Sequence, residues 1–222
     1  MQSMLSDWIK TKAIQPKIVT GIYEALTTDE TVFVYEADAK NTLAKKPVES
    51  FHFERQQKAK TINSDVHYSL ADFILDQKIA EKIQRKDYIG FFAVTATNDV
   101  EKIANKFEKD NDDYNSIMAK ALGDRIAEAC AEWAHQQIRN NFGFGLNENL
   151  TREEIIKEKY RSIRPAPGYP SCPDHKQKEK FWKMMDIENR TGIQLTETFA
   201  MNPGSSICGY YFMNEKAKYF AI

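Results

Sequence analysis

A chain of 222 residues with 42% hydrophobic and 28% charged side chains has the makings of one folded domain with a real core. Its net charge of −1 gives no electrostatic reason to expect nucleic acid or an anionic membrane as a partner, and no apolar run approaches the ~20 residues of a membrane span. The amphipathic start MQSMLSDWIK does not read as a signal peptide; Cys130, Cys172 and Cys208, widely spaced and without a CxxC pair, point to a reducing, cytoplasmic setting rather than to disulfides or zinc.

Met4, Leu5, Trp8 and Ile9 fall at helical spacing over residues 4–14, and Pro16 ends that helix. KIVTGIY (17–23) and TVFVYE (31–36) read as strands joined through LTTDE in a hairpin, and VESFHFE (48–54) as a third strand. The lysine-rich pieces 40–46 and 176–183 read as solvated faces. YSLADFIL (68–75) and DYIGFFAVTA (87–96) are apolar and flank a short charged segment. The period then changes: Val100, Ile103, Ala104 and Phe107 mark a helix with Asn98 as its expected cap.

The longest helix is expected over about 113–139, with Tyr114, Ile117, Met118, Ala121, Leu122, Ile126, Ala129, Cys130 and Trp133 as its apolar stripe. TREE at 151–154 is a capping box of Thr151 with Glu154, opening a helix to about Tyr160. Asp174 is read as the cap of a helix that continues through Arg190 and stops at Thr191-Gly192. IQLTETF (193–199), SICGYYF (206–212) and KYFAI (218–222) read as strands, with MNEK closing a hairpin between the last two. Strands and helices come in separate blocks. The fold class is therefore α+β: a twisted, largely antiparallel sheet with flanking helices in a single domain over 1–222.

Motifs for nucleotide loops, zinc proteases and serine hydrolases are absent, and His52, His67, His135 and His175 lack metal spacing. Four of the seven prolines fall in IRPAPGYPSCPDH, residues 163–175. Proline fixes its own φ and extends the residue before it, so this is a stiff ribbon with one flexible point at Gly168. It is either a plain connector or a rigid mount for Arg164 and Tyr169. Asp72 interrupts the apolar run 70–75, as a cap or turn aspartate or as a ligand contact. Asp124, Glu128 and His135 share roughly one side of the long helix, where a solvated face is the simpler alternative. Carboxylates, one rigidly mounted arginine and the aromatic faces of Tyr169, Tyr210, Tyr211 and Tyr219 suit a zwitterionic, partly cationic ligand with an aromatic ring.

YRSIRPAPGYPSCPDH, together with SLADF, DYIGFFAVT, DDYNSIMAKALGDRIAEACAEWAH, NENLTREEI, TGIQLTETFAMNPGSSICGYYF and KYFA, resembles the C-terminal reactivation domain of cobalamin-dependent methionine synthase. The matching segments keep the family's order and spacing over about residues 17–222. The resemblance implies an S-adenosylmethionine site in which Arg164 of an RxxxGY motif binds the ligand's carboxyl end, with Gly168 and Tyr169 completing the motif. It further implies ligand contacts by the Ala166 backbone, Asp72, Tyr219 and Phe220, and by Glu128 and Glu158 in the same cleft. Asp124 and His175 are expected to meet a cobalamin-bearing domain.

The implied function is reductive methylation of inactive cob(II)alamin. S-adenosylmethionine is the methyl donor, the cobalamin is carried by a partner domain, and flavodoxin or an equivalent reductase is the electron source. The chain then supplies positioning and electrostatics rather than acid–base groups, holds no metal of its own, and does not make methionine alone. Relative to the family pattern it is expected to be shortened at both ends. A non-catalytic module that senses S-adenosylmethionine or docks a corrinoid protein is the alternative. A small-molecule methyltransferase is disfavoured by the missing Gly-rich strand–helix turn.

Overall fold

The computed structural model describes residues 1–36, 46–57 and 66–222; most of the lysine-rich piece 40–46 lies outside them. Five strands form one sheet: β1 (Lys17–Thr28), β2 (Thr31–Tyr35), β3 (Glu49–His52), β4 (Asp87–Thr95) and β7 (Ser206–Phe212), in the order β3-β2-β1-β4-β7. Every neighbouring pair is antiparallel, as the blocks of strands in the sequence imply. The first hairpin is tighter than expected. β1 runs on to Thr28, so only Asp29 and Glu30 turn the chain, with Asp29 in the left-handed region at φ 51°. β5 (Gln194–Leu195) and β6 (Met201–Asn202) pair separately, so the strand expected over 193–199 shrinks to two residues.

The sheet is covered on both faces, which explains the unbroken apolar run of β4. On one face Phe91, Phe51 and Tyr210 pack with Phe181, Trp182 and Ile187, from α6 (Gln177–Met185) and α7 (Ile187–Thr191). On the other, Phe92, Val94 and Tyr211 meet Ala131 and Ile138 of α4 (Asp113–Asn141). Consecutive tyrosines thus serve opposite faces, as the two-residue period of a strand requires. α1 (Gln2–Thr11) and α3 (Asp99–Lys109) close a smaller cluster around Trp8, Ala104 and Leu122. Between β3 and β4 lie a 3-10 turn at Leu70–Phe73 and α2 (Gln77–Ile83).

Several sequence expectations need correction. On α4 the predicted stripe is turned: Tyr114, Ile117 and Trp133 are 71%, 68% and 57% exposed. The buried face mixes small residues, Ser116, Ala119, Gly123, Ala127, Ala131 and Ala134, with Leu122 of the predicted stripe and with His135, Ile138 and Arg139. Its first half packs largely with α1 and α3, while Ala131, His135 and Ile138 meet the sheet. The helix expected over 174–190 is two helices, broken at Asp186, which takes the left-handed conformation at φ 54°. Asp174 is not its cap residue, although its carboxylate accepts the Lys176 N–H at 2.9 Å. Asn98 holds the cap position of α3 without a side-chain bond; Thr97 Oγ1 donates to Asp99 instead, at 3.0 Å. The Thr151–Glu154 box is present, but α5 (Arg152–Ile156) ends four residues before Tyr160.

The largest correction concerns 218–222, which is not a strand. The proline ribbon occupies the β7 edge that a terminal hairpin would need. Ile163 and Phe212 exchange backbone hydrogen bonds at 3.1 and 3.0 Å, and Pro165 O accepts the Tyr210 N–H at 2.9 Å. Proline has no N–H to donate, so at Pro165 the ribbon offers that edge an acceptor only, whereas Ile163 both donates and accepts. Gly209 permits the approach: a Cβ there would lie 2.6 Å from the Pro165 carbonyl oxygen. The tail from Met213 onward crosses outside the ribbon without pairing as a strand.

Candidate functional site

Laying the ribbon along β7 opens a groove of about 660 Å³ between the ribbon, the tail, α4 and the start of α6. Arg164, Ala166 and Tyr169 line it from the ribbon, Tyr219 and Phe220 from the tail, and Glu128 from α4. Glu158 and His175 complete the predicted residues that reach it. Eight positions spread over more than ninety residues of chain therefore meet in one place.

The tail is held against the ribbon by specific bonds. Tyr219 Oη accepts the Arg164 backbone N–H at 3.0 Å, Pro170 O accepts the Ile222 N–H at 3.0 Å, and Gln56 Nε2 donates to Ala221 O at 2.6 Å. Phe220 is buried between Tyr68 and Phe73, at ring separations of 5.9 and 6.3 Å. Burial raises the Tyr219 phenol above its ordinary range, so it stays a neutral hydroxyl.

Arg164 is mostly buried and sits among acids. Nη2 donates to Glu132 Oε2 at 3.1 Å, and Nη1 is 3.7 Å from Glu128 Oε2. Burial opposes its charge, but Tyr160 and Glu132 hold the guanidinium above its usual pKa. Its Nε is buried with no partner among the described residues. Glu158 comes to the groove because the chain turns after α5 through the left-handed region, with Glu158 itself at φ 52°. Partial desolvation raises the Glu158 carboxyl; Arg164 opposes the shift, and Glu132 and Glu128 add to it.

Gly168, the flexible point of the ribbon, has φ 100° and lies so close to the His175 ring that a Cβ would fall 2.0 Å from its Cε1. Both the backbone and the neighbour demand glycine. His175 Nδ1 lies 3.0 Å from Lys178 Nζ, which also donates to Phe199 O at 2.9 Å. An ammonium can only donate, so His175 Nδ1 is the acceptor and the ring carries its proton on Nε2. Lys178 is buried, lines the groove and went unmarked in the sequence, where it reads as one of several surface lysines.

Three predicted residues stand outside the groove lining: Gly168, which shapes the ribbon, and Asp72 and Asp124. Asp72 caps the 3-10 turn by accepting the Ser69 N–H at 2.9 Å, and both its oxygens accept from Arg55, at 2.7 and 2.8 Å. It adjoins the groove only through Phe73, which packs on Phe220. The cap reading of Asp72 describes its bonds. Asp124 is exposed on α4, one turn before Glu128, where it accepts from Ser205 Oγ at 2.8 Å.

Tyr210, Tyr211 and His135, named from the sequence as candidates, are buried and absent from the groove lining; Tyr211 and His135 belong instead to an aromatic and polar layer beneath Arg164. The Tyr211 ring is stacked between Phe92 at 4.7 Å and His135 at 4.9 Å. Tyr160 meets His135 edge-on at 5.1 Å and carries the Arg139 guanidinium 3.9 Å above its ring. Glu132 is partly covered by Tyr160 and Arg164, and Arg139 is buried with Tyr160 and Glu148, contacts that distant parts of the chain bring to α4.

Among the described residues no group of three metal-ligating side chains is present, and no helix is long and apolar enough to cross a membrane.

The model of the family described as "Vitamin B12 dependent methionine synthase, activation domain" matches residues 1–222. Among solved structures the chain is similar to the one titled "Crystal Structure of the MetH Reactivation Domain bound to AdoHcy", with a TM-score of 0.89 and 40% sequence identity. That match covers 99% of this chain and 65% of the solved one. With the family model matched over its full length, the chain belongs to the activation-domain family of vitamin B12-dependent methionine synthase.

Proposed function

We propose that residues 1–222 act as one domain that binds S-adenosylmethionine in this groove and serves the reductive methylation of a cobalamin carried by a partner domain. The observation that carries the reading is one guanidinium, Arg164, beside Glu128 and Glu158 in a groove with aromatic walls. A free amino acid end needs a cationic fork for its carboxylate and carboxylates for its ammonium; an adenine ring and a sulfonium suit aromatic faces such as the exposed Tyr169. The volume fits a nucleoside-sized ligand. The related structure titled as bound to S-adenosylhomocysteine supports the same ligand class.

S-adenosylmethionine supplies an activated methyl group, and partner-borne cobalamin supplies the metal centre that receives it. This chain's residues bind and orient. Arg164, the Ala166 backbone, Gly168 and Tyr169 hold the amino acid end and sulfonium from the ribbon. Tyr219 and Phe220 close the tail side, and Asp72 is assigned to the far end beyond Phe220. His175 at the rim and Asp124 on the exposed face of α4 are assigned to the docking of the cobalamin-bearing domain. The reducing electron is assigned to flavodoxin or an equivalent cytoplasmic reductase, and the chain alone is not expected to make methionine.

Isothermal titration with S-adenosylmethionine and S-adenosylhomocysteine tests the reading. Micromolar or weaker binding of both is expected, because an open groove leaves much of the ligand in water. No heat at millimolar ligand would overturn it.

A further inference from the structure

Glu132 lies behind Arg164 and is absent from the groove lining, whereas Glu128 and Glu158 face the groove. Its Oε2 accepts two hydrogen bonds from the chain that leads into and forms the ribbon: Tyr160 Oη at 3.1 Å and Arg164 Nη2 at 3.1 Å. One carboxylate oxygen on α4 thus ties both the root of the ribbon and its arginine. The tie is itself braced. Tyr160 is buried beneath the Arg139 guanidinium and against the edge of His135, and Arg139 Nε is held by Glu148 Oε2 at 2.9 Å. Glu148 Oε1 in turn accepts the Arg161 N–H at 3.3 Å.

We infer that Glu132 is the positioning residue for Arg164: it holds the guanidinium back from Glu128 so that the fork stays open to the ligand's carboxylate. The inference rests on the reading that this carboxylate binds Arg164. Without Glu132, the next acceptor is Glu128 Oε2, already 3.7 Å from Nη1. Glu128 lines the groove, so a guanidinium paired there would spend its donors on the surface that the ligand carboxylate needs. Glu132 touches no ligand in this arrangement; it acts through Arg164.

The test compares two ligands, S-adenosylhomocysteine and 5′-methylthioadenosine, which lacks the amino acid end. Glu132→Ala is expected to weaken S-adenosylhomocysteine roughly tenfold, the scale of one charge-assisted contact, and to leave 5′-methylthioadenosine within about twofold. Glu132→Gln keeps an oxygen that accepts from both donors and should restore S-adenosylhomocysteine binding. In an Arg164→Ala background the Glu132 substitution should have no further effect, since coupled residues do not add. Tyr160→Phe removes one donor from the same carboxylate while keeping the ring. It should weaken S-adenosylhomocysteine severalfold and selectively, so the inference stays testable if Glu132→Ala does not fold. Equal loss of both ligands, no loss of either, or an undiminished Glu132→Ala effect without Arg164 would each overturn the inference. Failure of the unsubstituted chain to bind S-adenosylhomocysteine would instead remove the parent reading, and this inference with it.

Discussion

The hydroxyl of Tyr219 accepts the backbone N–H of Arg164 at 3.0 Å, across 55 residues of sequence. Arg164 is therefore fixed from two sides, its main chain by the C-terminal tail and its guanidinium by α4. A ribbon stiffened by proline still needs such points of attachment, because stiffness sets its shape and not its position.

Tyr219→Phe removes that acceptor and leaves the ring in place. A single hydrogen bond contributes about 1 kcal/mol, so ligand affinity should fall about fivefold while the thermal midpoint moves by a few degrees at most. Titration calorimetry beside a thermal melt checks both. An unchanged affinity would mean that the tail packs on the ribbon without steering it.

Arg164→Ala should weaken S-adenosylhomocysteine by more than tenfold, on the scale of 1.5–3 kcal/mol for a charge-assisted contact. Arg164→Lys should recover only part of the loss, because a point charge cannot replace a planar fork. Glu132 and Glu128 lose their cation in the alanine variant. If stability collapses and affinity per folded molecule survives, the arginine is structural.

Gly168→Ala must meet both a left-handed backbone and the His175 ring. The expected cost is about 1–3 kcal/mol of stability or an equivalent loss of ligand affinity as the ribbon shifts. Adding His175→Ala should relieve the clash but not the backbone strain, so the double variant should recover only in part. Full recovery in urea unfolding would show that the ring alone demands glycine at 168.

His135 is fully buried, stacked on Tyr211, with Nε2 3.0 Å from Ser162 Oγ. Burial, with Arg139 and Arg164 nearby, pushes its pKa down to about 2. The unfolded chain then takes up this proton near pH 6.5 while the folded chain does not. Stability from the neutral ring is complete above about pH 6.5 and is lost as pH falls below it. Between pH 6.5 and 5 the loss from this one group should be about 2 kcal/mol. Urea unfolding of the parent and His135→Phe at both pH values isolates it, because the acid sensitivity of other groups cancels. Equal pH dependence in the two proteins would show that His135 titrates normally in the fold.

Local rules made much of the fold legible before any coordinates of space entered. β-branched and aromatic runs marked β1, β2, β4 and β7, the Thr151–Glu154 box opened α5 where expected, and the separation of strands from helices announced an antiparallel sheet. These features depend on residues close together in the chain, where backbone preference and short-range hydrogen bonds decide. The RxxxGY ribbon was legible for a similar reason: four prolines around one glycine specify a rigid shape on their own.

What only the tertiary structure decided is which partner each surface finds. On α4 the sequence offers Tyr114, Ile117 and Trp133 as apolar contacts, yet they stay exposed; the sheet behind the helix, lined by Phe92 and Tyr211, receives Ala131, His135 and Ile138 instead. KYFAI has the composition of a strand, but the ribbon reaches the edge of β7 first and leaves the tail to lie across it. Asp72 and Arg164 each look like a lone charge in an apolar or proline-rich stretch. Their counter-ions, Arg55 and Glu132, lie 17 and 32 residues away, on segments that meet them only when the chain is packed. Composition and spacing report what a residue needs; a buried charge or an open strand edge is satisfied by whichever group the folded chain brings within bonding distance.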